Sequence, residues 1–296
     1  MTRSRPPLRR FRRTRSRPTT GSRGRCSIRW VDPTAACAAL LLLAVAPAAG
    51  LDCGADGKFD TRDSAHFVLL QDVDIDETSG LRGSRHFEQE VLGILEQAYE
   101  SLDQHLGLRP ARRVRVVVYD PRVFDRTFSG LFRFPAAGFY GGVICIRGDD
   151  RVHQGLVHVL HHELVHAALD MARPSLAYPA WFNEGLAEWF EARSLGKRHL
   201  HAGEYEFLAT NARAGRLFSL AALDTPSFGH LPTDSAQLAY LQSYAFFAYL
   251  ARVHGERTLS ELIQSFIRTG DLDRSFRRVY RADLAKLDDR FRAEFR

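Results

Sequence analysis

The 296-residue chain is 45% hydrophobic and 26% charged, a globular composition that excludes a collagen-like, mucin-like or wholly disordered polymer and leaves ample length for a buried core. Its net charge of +6 would suit a nucleic-acid or anionic-membrane partner, but 11 of the 41 basic residues fall within the first 30 positions and Asp32 alone among the 35 acids precedes residue 51. The remainder carries 30 basic against 34 acidic residues, net −4, so no nucleic-acid partner is expected.

Residues 1–50 read as an Arg-rich leader and signal peptide. An apolar run of 12 residues, Ala35 to Ala46, follows the basic stretch and leads into Pro47-Ala48-Ala49-Gly50, a small-residue cleavage zone. The run is shorter than the roughly 20 residues a membrane span needs. The expected location is therefore secreted or periplasmic, with no stable membrane insertion after cleavage; the alternative is tethering by an uncleaved signal anchor. Cys26 and Cys37 leave with the leader, and Cys53 and Cys145 remain as one possible disulfide or two thiols.

Residues 51–150 read as an N-terminal α/β part. His66 to Leu70 predicts a strand, and residues 72–80 an acidic turn. Phe87, Val91, Leu92, Ile94, Leu95, Ala98, Tyr99 and Leu102 recur at three- and four-residue steps and predict a helix over 84–106, stopped by Gly107. Val114 to Tyr119 predicts a strand ending at Asp120-Pro121, residues 122–137 an irregular connection, and Gly138 to Ile146 a further strand that could accept an extended peptide at its edge. Residues 151–200 hold two helices, 152–170 and 179–194. Residues 201–296 form a helical lobe, with helices over 236–254, 258–269 and 281–295 and a polar stretch before them. A β layer followed by helices defines an α+β class: a small mixed sheet, a helix pair and a helical C-terminal lobe.

The chemistry lies in the helix pair. His162-Glu163-Leu164-Val165-His166 has the form H-E-x-x-H, and the stripe Leu156, Val157, Leu160, Leu164, Ala167 and Ala168 puts it on a helix. Positions four apart lie about 40° apart around a helix axis, so both imidazoles reach one metal ion, with Glu163 on the flank beside an attacking water. Pro179-Ala180-Trp181-Phe182-Asn183-Glu184-Gly185-Leu186-Ala187-Glu188 then offers two carboxylates four apart, beginning 18 positions after His166. Catalytic zinc takes three protein ligands and keeps one position open. His162, His166 and Glu184 supply three. His158, one turn before His162, is read as a satisfied or exposed histidine. Tyr240 and Tyr244, four apart on one face of a later helix, are candidate donors to a developing oxyanion.

H-E-x-x-H followed by Asn-Glu-Gly at this spacing resembles the gluzincin metallopeptidases, and more closely the small bacterial peptidase MA-like proteins. The likeness extends to Tyr240-Leu241-Gln242-Ser243-Tyr244, covers about residues 66–290, and is strongest over 158–191. It implies a zincin-like fold and one Zn2+ held by His162, His166 and Glu184. Glu163 would be the general base toward a zinc-activated water, Glu188 the acid that orients a ligand histidine, and a peptide or protein the substrate. The gap between His166 and Glu184 is 17 residues, one fewer than the aminopeptidase spacing, and no Gly-x-Met-Glu-Asn string is present, so the expected activity is that of an endopeptidase. The rival expectation is a non-catalytic, zinc-stabilised binding module, which has no use for Glu163. The oligomeric state is left open.

Overall fold

The computed structural model describes residues 59–72, 84–128, 137–149 and 151–296. The leader, Cys53 and most of the acidic turn lie outside them. The fold is α+β, as its sequence predicts, with a five-stranded mixed sheet followed by helices.

The strands are β1 (Phe59–Asp63), β2 (Phe67–Asp72), β3 (Val114–Tyr119), β4 (Gly138–Tyr140) and β5 (Ile144–Arg147), in spatial order β1-β2-β3-β5-β4. β2, β3 and β5 run parallel, and β1 and β4 are antiparallel edges. Helix α1 (Ser84–Leu106) connects β2 to β3 across the packed face. The near-continuous run of valines in β3 fits a strand buried on both faces. Val114, Val116 and Val118 join Phe67, Leu69, Ile144 and Ile146 in the main core. Val117 and Tyr119 face the other way, with Cys145, Phe124 and Val123.

Three elements of the layer differ from the sequence expectation, the first being β1, an edge strand where none was expected. The connection after β3 begins with a helix, α2 (Pro121–Phe128), with Asp120 Oδ1 accepting from the backbone N–H groups of Arg122 and Val123. Its Phe124 and Phe128 pack tilted or edge-on against Tyr119 and Phe139, so the phenylalanines of this connection cover the second face of the sheet. The strand expected over 138–146 is a hairpin: Gly142 adopts φ 83°, the chain reverses, and Phe139 pairs with Cys145. Gly138 must be glycine, because a Cβ there would stand 2.8 Å from Cys145 O and 2.9 Å from Val159 Cγ1 of the helix packed beneath.

That helix is α3 (Gln154–Ala172), and α4 (Ala180–Ser194) packs along it. α3 is capped by His153, whose Nδ1 accepts from the Leu156 N–H. Both helices are apolar around most of their circumference, the mark of buried helices. Trp181 and Phe182 of α4 lie among Phe246, Phe247, Phe266 and Phe276. The polar stretch after residue 200 contains α5 (Ala202–Arg213), with a capping box between His201 and Glu204. The lobe continues with α6 (Thr233–His254), α7 (Glu256–Thr269), α8 (Leu272–Tyr280) and α9 (Leu284–Ala293). α8 has no counterpart in the sequence expectation. Among the described residues no helix is long and apolar enough to cross a membrane.

Candidate metal centre

The site lies in the seam between α3 and α4. Gln154, His158, His162 and His166 follow each other at four-residue steps and form one polar stripe on α3. Glu184, Glu188 and Glu191, at steps of four and three, form the facing stripe on α4. Gly185 lets α6 come close behind α4: a Cβ at 185 would meet Ser243 O at 2.7 Å. The glycine of Asn-Glu-Gly thus allows the packing that backs Glu184.

His162 Nε2 stands 3.4 Å and His166 Nε2 3.8 Å from Glu184 Oε2, and one donor atom from each residue falls within 4.8 Å of the others. All three side chains are largely buried, with 12–20% of each exposed. The outer ring nitrogens have their own partners. His166 Nδ1 lies 3.0 Å from Asn183 Oδ1, an acceptor, so this nitrogen carries the proton. His162 Nδ1 faces carboxylate oxygens, Glu191 Oε2 at 3.4 Å and Glu188 Oε1 at 4.0 Å. Each imidazole therefore turns its Nε2 toward the Glu184 carboxylate, an arrangement that could hold a metal ion.

Burial disfavours the His162 imidazolium, yet the bonds to Glu184 and Glu191 prevail and lift His162 well above the ordinary histidine range. Burial also works against the Glu184 carboxylate, but His166 and His162 hold it below the usual range. A metal ion fits the same donors. Tetrahedral coordination with bonds of about 2.0–2.2 Å sets neighbouring donor atoms about 3.4 Å apart, close to the separations found here.

Glu163 is half-buried, stands outside the three-donor group, and acts electrostatically on His162 and on the Tyr240 phenol. Burial raises the Glu188 carboxyl above its usual range, with Glu191 and Glu184 adding to the effect and His162 opposing it. Tyr240 packs edge-on against Phe228, and its phenol, raised first by burial, also feels Glu184, Glu188 and Glu163. Tyr244 also feels Glu188 and Glu191, but neither Glu184 nor Glu163 is among the groups acting on it. Lys197 Nζ lies 4.7 Å over its ring, and after burial Glu204 is the strongest influence on it. Two residues near these donors had no assigned part in the sequence expectation, Asn183 and Glu191, while His158, read as satisfied or exposed, bonds Glu191. Position would have found them, since 183 adjoins a proposed ligand and 191 continues the 184, 188 stripe. His161 turns away, donating from Nδ1 to Val157 O at 2.8 Å.

Residues 96–296 match the Peptidase MA superfamily (Peptidase_MA_2), which places α3, α4 and the whole helical lobe inside the matched region. The chain belongs to this superfamily, whose members are typically metal-dependent. It is also similar to Uncharacterized protein YhcO of Bacillus subtilis (strain 168), 23% identical over 155 residues. That match covers 47% of this chain and 40% of the relative, so the chain spans less than half the length of the protein it resembles.

Proposed function

We propose that the protein is a secreted or periplasmic zinc-dependent endopeptidase, with His162, His166 and Glu184 as zinc ligands and Glu163 as the general base. The observation that supports this most directly is the arrangement of donors: two imidazoles, each with its outer nitrogen occupied, turn their Nε2 atoms to one carboxylate oxygen at 3.4 and 3.8 Å.

Zinc, when bound, supplies Lewis acidity toward the scissile carbonyl and lowers the pKa of water to about 7. Glu163, next to a ligand yet outside the ligand set, accepts a proton from the attacking water at its carboxylate and returns it to the departing amine nitrogen. Tyr240 donates its phenolic proton in a hydrogen bond to the oxyanion as the carbonyl carbon becomes tetrahedral. Tyr240 is favoured over Tyr244 because the proposed ligand Glu184 and the proposed base Glu163 bear on it, whereas Glu204 is the strongest charge on Tyr244 and Lys197 covers its ring. Asn183 keeps His166 in the tautomer that presents Nε2. Glu188 adds negative charge 4.0 Å from His162 Nδ1 and so favours a cation at the centre.

The test is metal analysis of the mature protein together with cleavage of a peptide library, wild type beside Glu163→Gln. The expected result is about one zinc per chain in both proteins and a loss of about 10²–10⁴-fold in hydrolysis in the variant. Full hydrolysis by Glu163→Gln overturns the mechanism. Unfolding on chelation, with no cleavage by either protein, would favour the zinc-stabilised binding module.

A further inference from the structure

Glu191 is a half-buried acid seven positions beyond Glu184, and its two oxygens are shared between two histidines of α3. Oε1 lies 2.6 Å from His158 Nδ1 and Oε2 3.4 Å from His162 Nδ1. Behind His158, Gln154 Nε2 lies 3.2 Å from His158 Nε2. These contacts have only one consistent direction. An amide nitrogen can only donate, so His158 Nε2 accepts and His158 carries its proton on Nδ1. That proton goes to Glu191 Oε1, and the other carboxylate oxygen is left to accept from His162 Nδ1–H.

We infer that Glu191, held in place by His158 and Gln154, is the positioning residue that fixes the orientation of His162 and presents its Nε2 to the metal. This rests on the zinc reading of the seam. Glu188 is the residue that the family likeness offers for the task, but its nearest oxygen is 4.0 Å from the same nitrogen and 38% of its side chain is exposed, against 17% for Glu191. An exposed carboxylate with no second anchor can turn away at little cost, whereas one whose other oxygen is bonded to His158 is confined to one rotamer. His158 thereby has a use that its exposed position does not suggest. It leaves the metal alone and anchors the carboxylate that orients a ligand.

The experiment measures zinc affinity by chelator competition on the full chain and, by proton NMR, the exchangeable Nδ1–H signal of His162 in the zinc-loaded protein. Glu191→Ala is expected to weaken zinc binding about 10–100-fold and to lose the protected His162 signal. Glu191→Gln, which keeps the volume should the alanine variant fold poorly, is expected to fall between alanine and wild type, because an amide has one acceptor for two donors. His158→Phe should weaken binding by a smaller factor than Glu191→Ala and broaden the same signal, and Glu188→Gln should keep it. Unchanged affinity and an intact signal in Glu191→Gln, with both lost in Glu188→Gln, overturn the assignment and leave the zinc reading standing. A wild-type protein without measurable zinc affinity overturns both.

Discussion

The sheet layer and the α3–α4 seam are built on opposite rules. Across β2, β3 and β5 both faces are packed mainly with apolar side chains, with Gln71 and Asp72 at the end of β2 as buried polar exceptions, and paired charges such as Arg113–Asp63 and Arg147–Asp125 stand at the exposed margins. Along the seam, His162, His166, Glu184 and Glu191 lie largely inside the protein, where ionised groups are costly unless they are paired. The flanks make this tolerable: Leu160, Leu164, Trp181, Phe182, Leu186 and Phe190 are all essentially inaccessible to water. The layer is stable through its own packing. The seam is a charged line held shut by apolar neighbours.

The sharpest way to divide the two regions is by chemistry. Tyr240→Phe removes a hydroxyl from the seam and no packing area from the sheet. Its kcat should fall about 10²-fold or more while KM and the thermal midpoint hardly move, and Tyr244→Phe should lower kcat less. Steady-state kinetics on a cleaved peptide decides this. A larger loss in Tyr244→Phe would exchange the two roles.

The second test uses the metal itself. Zinc that binds only the folded state stabilises it by about 2.7 kcal/mol at a free concentration of 100 Kd. The gain should appear in hydrogen exchange as extra protection of α3 and α4, with β2 and β3 unchanged. Glu184→Ala should abolish both effects. Equal protection of sheet and seam would mean that the two regions unfold as one unit and would break the contrast.

The difference also explains what could be read in the sequence. The seam was legible because the proposed metal site would impose strict spacing on scarce residue types: His162, Glu163 and His166, then Glu184 one helix later. The long helices and β3 were legible because burial imposes periodicity or a continuous apolar run. α5 and α8 were not, because a helix lying on the surface of the lobe buries few residues and leaves a polar sequence; in α8 only Ser275, Phe276 and Tyr280 are buried. The β4–β5 hairpin was missed because its turn lies within a run of residues with strand character, and only the positive φ of Gly142 reveals the reversal. Glu191 continues the 184, 188 stripe at a helical step, but no motif assigns it a task. Its meaning comes from two histidines on another helix.

Packing behind the seam supports a third prediction. Gly185→Ala pushes a methyl group into the Ser243 carbonyl, so α4 and α6 must separate, at a cost of about 1–3 kcal/mol. Because the displaced helix carries Glu184, zinc affinity should fall along with the denaturation midpoint. A glycine in the sheet layer, Gly138, should behave differently on substitution by alanine: comparable crowding against Cys145 O and Val159, a similar loss of stability, and a smaller effect on zinc. If both variants lose zinc equally, the hairpin and the seam are mechanically one piece.

The smallest expected effect belongs to the layer and depends on pH. Glu96 of α1 accepts from Ser64 Oγ at 2.5 Å, from the His66 backbone N–H at 2.8 Å and from His66 Nδ1 at 2.6 Å, clasping the β1–β2 turn onto the helix. Burial alone would raise this carboxyl, but the three bonds and the His66 charge prevail and hold it below 4.5. Since the folded value is the lower one, the clasp contributes fully above pH 4.5, and its contribution is lost as pH falls through the folded value. The contribution is about 1 kcal/mol at most, because the clasp is partly open to solvent. Urea midpoints at pH 7 and pH 3 should therefore fall further apart in wild type than in Glu96→Gln. The seam makes the opposite demand on the same experiment: His162 is raised, so its pairing with Glu184 and Glu191 persists as pH falls through the ordinary histidine range and weakens on the alkaline side. In the metal-free protein, acid should therefore loosen the β1–β2 turn before it loosens α3, and hydrogen exchange at pH 4 that opened α3 first would reverse the order of the two regions.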